Sequence, residues 1–462
     1  MVFLAILKLS MTKHLRLVLW ISILASFVAF LDGSVVNVAL PAITKELGGG
    51  LAVQQWVVDA YLITLGSLML IAGSFSDLFG RLRILRIGLV GFAVTSALCA
   101  IAPSSEFLIV SRALQGVAGA LLVPSSLALI ISAFSGPAQG KAIGTWTAWT
   151  GMAFIIGPLL GGFFVDTASW RLVFAINLVP VAITLWLMQL LHSPDPHPKS
   201  VKVDFLGAAL CAVGLGGPVY ALIEQAHYGW GSPLIYLPFI AGILAFAVFI
   251  WYERRVAQPM MPLSLFTVRN FLAGNIATIA IYGGLSIAVF LISVFVQQVG
   301  GYSAIGAGLA LLPVTLIMFV LSSRFGALAG RYGPRTFMTI GPLLSGLGFL
   351  SMLRVDSSVE YWSQLLPGVL LLGLGLSVTV APLTSAILGS IDSNHAGIGS
   401  AINNAVSRVA GLVAIAAIGV IVGSQLDVEG FHRGIVAGAL LLIVGGLVSA
   451  VGIRNLKQPS PK

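Results

Sequence analysis

The sequence predicts an all-α integral membrane protein with fourteen transmembrane helices, arranged as two six-helix bundles plus two inserted helices. The chain of 462 residues is 58% hydrophobic and only 8% charged, with a mean hydropathy of +1.04, whereas a typical soluble domain carries about 25% charged residues. Apolar runs of roughly 18–25 residues, the length that crosses a bilayer, can be placed fourteen times. A short glycine- and arginine-containing segment also occurs once in each half of the chain.

The predicted spans follow one another with short polar connections. In chain order they are 16–38, 55–75, 84–102, 107–134, 143–165, 171–191, 205–223, 233–252, 271–296, 303–324, 336–353, 362–388, 398–422 and 434–453. Proline and charge are concentrated after span 6, as is typical of a linker. We therefore divide the chain into a tail (1–15), a first six-helix bundle (16–191), a linker with two extra transmembrane helices (192–270), a second six-helix bundle (271–453) and a second tail (454–462).

Lysine and arginine predict how the chain lies in the bilayer. With the N-terminus inside, eighteen of the 24 Lys and Arg residues fall in inner segments and four in outer segments, the asymmetry typical of cytoplasmic loops. We expect a multi-pass protein of the cell (inner) membrane with both termini in the cytoplasm. The net charge of +9 reflects this bias and does not indicate binding to nucleic acid. The first ten residues lack a signal-peptide pattern, and whether the chain starts at Met1 or Met11 stays open.

The repeated segment predicts a gate on the cytoplasmic side. Residues 73–83 (G-S-F-S-D-L-F-G-R-L-R) connect spans 2 and 3, and residues 326–335 (G-A-L-A-G-R-Y-G-P-R) connect spans 10 and 11. One copy in each half indicates two bundles related by an axis along the membrane normal. Ion pairs at such a position can form in one state and break in another, although simple positive-inside anchoring is the alternative. The predicted gate consists of Gly73, Asp77, Gly80, Arg81, Arg83, Arg331 and Arg335.

Residues 153–162 (A-F-I-I-G-P-L-L-G-G) place glycines and a proline in the middle of span 5. Both residue types weaken a helix, but small residues allow neighbouring helices to approach closely. The segment resembles the antiporter motif (g-x-x-x-G-P-x-x-G-G) of major facilitator drug/proton antiporters, with Ala153 where glycine is usual. Tight packing without a transport role is the alternative. The matching residues are Gly157, Pro158, Gly161 and Gly162.

Further segments strengthen this resemblance. Residues 31–41 (L-D-G-S-V-V-N-V-A-L-P) are similar to the family pattern L-D-x-T-x-V-N-V-A-L-P, and residues 112–116 (R-A-L-Q-G) to R-x-x-Q-G. Residues 73–83 resemble G-x-L-x-D-R-x-G-R-[RK], except that Leu78 and Leu82 replace basic residues. Over nearly its whole length, the chain resembles the 14-span drug/proton antiporter branch of the major facilitator superfamily. The resemblance implies the major facilitator fold and proton-coupled transport by alternating access.

Ionisable side chains within spans are costly and therefore indicate function. At ~1.5 Å per residue, Asp32, Asp59 and Arg112 all lie within roughly 10 Å of the outer ends of their spans. We predict Asp32 as the main proton site, Arg112 as its modulator and Asp59 as a second carboxylate that could also face a cationic substrate. A static buried ion pair is the alternative. Arg408, with the nearby Asn404, is either a polar site of the second bundle or a packed anchor.

Other activities lack the required residues. The segment closest to a phosphate-binding loop, 136–142, is one residue too short, and neither a nucleophile elbow nor metal-ligand spacing is present. We expect no enzymatic activity, no metal and no cofactor, with a proton gradient as the energy source. The partners are then a small-molecule substrate, protons and the lipid bilayer, and the oligomeric state, for which a monomer is one option, stays open. The predicted function is proton-coupled efflux of amphipathic drugs or metabolites; the alternative is an uptake symporter or uniporter for a small metabolite.

Overall fold

Apolar helices make up nearly all of the structure. The computed structural model describes residues 12–134, 136–191, 204–256, 259–392, 396–423 and 426–455. The predicted tails lie largely outside these ranges, as does most of the 192–204 connection. Within the described residues, thirteen helices are long and apolar enough to cross a membrane. They are α1 Lys13–Leu47, α3 Arg81–Ala100, α4 Ser105–Ala133, α5 Lys141–Thr167, α6 Leu172–Gln189, α7 Phe205–Tyr228, α8 Pro233–Glu253, α9 Arg269–Gln298, α10 Ala304–Tyr332, α11 Pro334–Arg354, α12 Tyr361–Leu388, α13 Ile398–Val422 and α14 Val428–Gly452.

One further long helix, α2, runs from Gly50 to Phe79 and coincides with predicted span 2. It is not among the thirteen, so the described residues contain thirteen candidate spans where the sequence predicts fourteen. With 30 residues, α2 is about 45 Å long at ~1.5 Å per residue. That length exceeds the ~30 Å hydrocarbon core of a bilayer.

Short connections link successive helices, which therefore run antiparallel and end at two opposite faces. We call the face that holds the start of α1 and the end of α14 the terminal face, and the opposite one the distal face. At the terminal face, Arg269 at the start of α9 donates hydrogen bonds to the carbonyls of Val451 and Gly452 at the end of α14. At the distal face, Trp170 before α6 donates to Glu46 at the end of α1 (2.7 Å).

The helices pack as two groups with a pair beside them. Helices α1–α6 pack mainly on one another, with α1 against α4, α5 and α6, while α9–α14 form a second group in which α9 packs on α13 and α14. Helices α7 and α8 pack together, and α7 lies against α2, where Trp56 donates a hydrogen bond to Glu224 (2.7 Å). Helix α8 lies at the periphery, and it exposes a row of large apolar side chains suited to lipid: Leu234, Leu237, Ile240, Ile243 and Leu244.

The two groups meet through α5 against α10 and α2 against α13. In the distal half of α1, Val38 and Ile43 are buried (0–2% exposed), whereas Asn37 is partly exposed. Nearer the terminal face, α1 carries a stripe of partly exposed residues that includes Leu24, Phe27 and Phe30. Because other helices surround α1, this stripe indicates an accessible space between the two groups.

Candidate functional site

Arg112 of α4 is the centre of a buried polar cluster within the first group. Its Nη1 lies 2.6 Å from Asp32 Oδ2 and also donates to Gln115 Oε1 (2.6 Å). Its Nε donates to the carbonyl of Val57 on α2 (2.9 Å). Asp32 is 0% exposed and Arg112 is 1% exposed. In these low-dielectric surroundings the two charges attract each other strongly, and removing one partner would leave the other charge buried and uncompensated.

Amide side chains hold the second oxygen of Asp32. Gln115 Nε2 (3.0 Å) and Asn177 Nδ2 (2.9 Å) both donate to Asp32 Oδ1. The same two amides also reach Ser96 Oγ on α3, at 2.8 and 3.4 Å. The cluster therefore connects α1, α3, α4 and α6, and its buried polar groups support one another.

Asp59 makes no hydrogen bond to this cluster, and its predicted role as a second carboxylate stays a prediction. It is 0% exposed, and neither carboxylate oxygen has a hydrogen-bond partner among the residues that the structure describes. Asp59 lies one helical turn from Gln55 and two turns from Gly66, both of which approach α13. Residues at this spacing share a helix face. Asp59 is therefore on the face of α2 toward the second group, whereas the Val57 carbonyl meets Arg112.

The glycines of the span 5 motif lie where α5 meets α1 and α10. A Cβ atom at Gly157 would collide with Ser34 Oγ, and one at Gly161 would lie 2.7 Å from Val35 Cγ2. Ser34 also donates to the Ala153 carbonyl (2.9 Å), which ties α1 to the start of the motif.

The other end of the motif faces the second group. A Cβ at Gly162 would collide with the backbone of Ile305 on α10, while one at Gly308 of α10 would lie 2.6 Å from the Pro158 carbonyl. Gly157, Gly161 and Gly162 are buried in helix α5, and Pro158 lies within it. The motif thus permits backbone-to-backbone packing between the two groups.

Two polar contacts join the groups near the distal face, and we call them the distal contacts. Gln55 Nε2 donates to the carbonyls of Ile415 (2.6 Å) and Ala416 (3.1 Å), just before α13 is interrupted at Ala417. Asp166 accepts hydrogen bonds from the first two N–H groups of α10, those of Ala304 (2.9 Å) and Ile305 (2.8 Å). A carboxylate at a helix N-terminus is electrostatically favourable.

The predicted gate residues lie at the terminal face. Arg81 donates to the Ala128 carbonyl (3.1 Å), and Arg335 donates to the Ala450 carbonyl (2.8 Å), each within its own helix group. Arg331 lies over the ring of Tyr332, and Arg83 is exposed. Gly80 has φ +94°, which favours glycine. The side chain of Asp77 and the surroundings of Gly73 lie outside the described residues, so the ion pair across the gate stays a prediction.

Arg408 extends from α13 toward the first group. Its guanidinium carbon lies 5.4 Å from the ring centroid of Phe30 on α1. Asn404 is exposed one turn away, and its side chain donates to the Ser400 carbonyl (3.0 Å). Arg408 and Asn404 thus share the face of α13 that borders the space between the groups.

Several participants were not identified as site residues from the sequence. Gln115 lies in R-A-L-Q-G, which resembles the family pattern R-x-x-Q-G, and Asn177 ends the segment W-R-L-V-F-A-I-N at residues 170–177, which is also similar to a pattern of this branch. These resemblances were the available signal. Ser96, Gln55 and Asp166 have no comparable signal, because their roles depend on residues more than a hundred positions away or on a neighbouring helix.

The two packed helix groups, one of which holds a buried ion pair, define a polytopic membrane transporter. A sequence model of the Major Facilitator Superfamily matches residues 22–415. The chain therefore belongs to the Major Facilitator Superfamily, whose members are membrane transporters and not enzymes.

Similar curated proteins are resistance proteins. The puromycin resistance protein pur8 of Streptomyces alboniger is 34% identical over 85% of this chain and 78% of its own length. The methylenomycin A resistance protein of Bacillus subtilis (strain 168) is 33% identical over 88% of this chain and 87% of its own length. The multidrug resistance protein Stp of Mycobacterium tuberculosis (strain ATCC 25618 / H37Rv) is 33% identical over 87% of this chain and 75% of its own length.

Solved structures show the same fold. A peptide transporter POT in complex with sulfate superposes with a TM-score of 0.69 and 17% identity, covering 96% of this chain and 94% of that one. A bacterial homolog of the human lysosomal transporter Spinster, in an inward-facing conformation, gives a TM-score of 0.70 with 12% identity, covering 96% and 98%. At these identities the likeness concerns the fold alone.

Proposed function

We propose that this protein exports amphipathic drugs or metabolites in exchange for protons, as a member of the 14-span drug/proton antiporter branch. The observation that carries the proposal is the ion pair between Asp32 and Arg112, which is almost completely buried at membrane depth. Such a group marks an ion pathway more often than a structural pair, since burying charge in a membrane is expensive. The resistance functions named for its relatives support the direction of transport.

In this proposal α2 is the fourteenth span, and the bundles 16–191 and 271–453 rock against each other. With the positive-inside orientation, the terminal face is cytoplasmic and both termini lie in the cytoplasm of a cell-membrane protein. The distal contacts of Gln55 and Asp166 then close the outer side while the space between the groups opens inward. Alternating access requires breaking these contacts and forming others at the terminal face.

Proton coupling follows from the cost of separating the buried pair. When Asp32 binds a proton, it no longer neutralises Arg112, whose charge must then find other partners or become solvated. The two helices that carry these residues, α1 and α4, therefore favour different arrangements in the two protonation states. Asp59, buried without a partner, acts as a second carboxylate at the interface with α13.

The test measures substrate-driven proton movement in everted membrane vesicles with a pH-gradient dye. Addition of a transported amphipath should partly collapse the gradient in wild type and not in Asp32→Asn. The matched control is Asp356→Asn, which removes a carboxylate in the distal loop. Hydrogen bonds from Ser358 hold the pKa of Asp356 below its usual range, so this control also removes a full negative charge. Equal gradient collapse in wild type and Asp32→Asn would contradict the assignment of Asp32 as the proton site. A gradient that does not respond to the amphipath in any variant would favour the uptake alternative.

A further inference from the structure

Arg408 is a charged side chain near the middle of α13 that the buried cluster does not use. It lies ten residues after Ile398, the start of that helix, which is about 15 Å from the terminal face at ~1.5 Å per residue. Its side chain is partly exposed, although the helix itself packs against α2 and α9. A cation at this depth is stabilised only by water, a fixed partner or a ligand.

The surroundings of Arg408 are aromatic and lack an opposite charge. Its guanidinium lies over Phe30 from the other helix group and is within electrostatic reach of the phenol groups of Tyr282 on α9 and Tyr61 on α2. Across the part of the chain that the structure describes, no carboxylate lies within 4.0 Å of Arg408 and it donates no hydrogen bond. Phe30 and Tyr282 are partly exposed, as is Arg408.

The buried acidic groups of the first helix group are inaccessible in the same structure. Asp32 and Asp59 are both 0% exposed, and the charge of Asp32 is balanced by Arg112. A molecule that enters the space between the groups from the terminal face therefore meets a cation and aromatic rings, and it meets neither carboxylate. This arrangement disfavours a cation and favours an anion.

We propose that Arg408, Asn404, Phe30 and Tyr282 form a substrate subsite for amphipathic organic anions, with a carboxylate or similar head group on a planar aromatic body. The guanidinium fork matches a carboxylate, the Asn404 amide can donate a further hydrogen bond, and the rings pack against the apolar body. The inference rests on the proposed export function and narrows its substrate class from amphipaths in general to anionic ones.

Tyr61 connects this subsite to the proton site. Its ring lies 4.3 Å from the guanidinium carbon of Arg112, and the same residue is within electrostatic reach of Arg408. The two sites are therefore separate but adjacent.

The test compares two dyes that share a xanthene body and differ in charge, fluorescein as the anion and rhodamine 6G as the cation. Binding to purified protein in phosphatidylcholine nanodiscs is followed by fluorescence anisotropy. Wild type should bind fluorescein, and Arg408→Gln should weaken that affinity by about tenfold or more, since hydrogen bonds to a charged group are lost. The same variant should leave rhodamine 6G binding unchanged or tighter. Arg354→Gln, which removes an exposed arginine at the distal end of α11, is the matched control.

Two results would overturn the subsite. One is equal weakening of both dyes by Arg408→Gln, which would indicate a packing role; the other is fluorescein binding that does not depend on Arg408. If the Gln variant fails to fold, Arg408→Lys keeps the charge without the planar fork and should retain fluorescein binding with reduced affinity. The binding assay uses no proton gradient, so its result is independent of the vesicle assay. If coupled export fails in vesicles but fluorescein binding still depends on Arg408, the proposed function is overturned and the subsite is supported.

Discussion

Each partner in the buried pair stabilises the other only while both are charged. Removing Asp32 leaves Arg112 with Gln115 and the Val57 carbonyl, neither of which carries a negative charge. Breaking a buried pair in this way typically costs about 3–5 kcal/mol, whereas replacing both partners with apolar residues is often neutral. The stability of the cluster and its role in coupling can therefore be separated by mutation.

We expect Asp32→Leu to lower the thermal midpoint of the purified protein clearly, and Asp32→Leu/Arg112→Leu to recover most of that loss. Neither variant should couple transport to protons. Thermal unfolding in detergent, with tryptophan fluorescence as the signal, measures the first effect and the vesicle assay the second. A double variant as unstable as the single one would show that the pair is not the source of the stability.

Replacing Asp59 should affect the thermal midpoint in the opposite direction from replacing Asp32. Because its buried oxygens lack partners, Asp59→Leu removes a polar group that pays a desolvation cost and should leave the thermal midpoint unchanged or raise it. The same variant should reduce coupled transport, since stability and function often oppose each other at functional sites. A clearly destabilised Asp59→Leu would indicate a partner for this carboxylate that the present geometry lacks.

At the scale of helices, the close approach between α5 and α10 depends on glycine, which carries only a hydrogen atom where other residues carry a Cβ atom. Gly162→Ala would place a methyl group against the backbone of Ile305, which cannot move as a side chain could. We expect Gly162→Ala to weaken the closed distal face and to reduce transport strongly. Gly144→Ala in the same helix is the control, because a Cβ there meets nothing within 4 Å. Equal transport activity of the two variants in the vesicle assay would indicate that the motif contributes helix packing without a specific role in transport.

The distal contacts link helices by satisfying backbone groups. Gln55→Leu leaves the Ile415 carbonyl without this donor, and Asp166→Asn removes the charge at the start of α10. Together they should shift the population toward a state that is open at the distal face. Electron–electron distance measurements between spin labels at Lys45 and Ser357, which are exposed on different groups, should then show longer distances. An unchanged distribution would mean that apolar packing alone keeps this face closed.

For the whole molecule, the number of spans determines where the termini lie. Fourteen spans place both termini on the same side of the membrane, whereas thirteen would place them on opposite sides. Whether α2 crosses the membrane therefore decides where the C-terminus lies. We expect a C-terminal green fluorescent protein fusion to fluoresce and alkaline phosphatase inserted in the 229–232 connection to be active, because the positive-inside rule puts these sites on opposite sides. Active phosphatase at the C-terminus would contradict the fourteen-span topology.

The sequence alone determined the class and the positions of thirteen of the fourteen predicted spans, and it placed Asp32 and Arg112 at one depth of the bundle. Membrane helices are predictable because a spanning segment must be about 20 apolar residues long and must satisfy its own backbone groups. An interaction between Asp32 and Arg112 could be expected because charged residues at one depth in a bundle have few possible partners, but whether they form a direct pair could not. The glycines of span 5 were also recognisable, since their spacing is local.

Only the tertiary structure decided which side chains share an environment. The sequence placed Asp59 at the same depth as Arg112, but the rotation of α2 turns Asp59 toward α13 and away from the cluster. The distal contacts and the exposure of Arg408 likewise depend on how two groups of helices, far apart in sequence, face each other. The depth of a side chain in the membrane follows from counting residues along one helix. The direction in which it faces follows from the packing of several helices, and for that reason it required the tertiary structure.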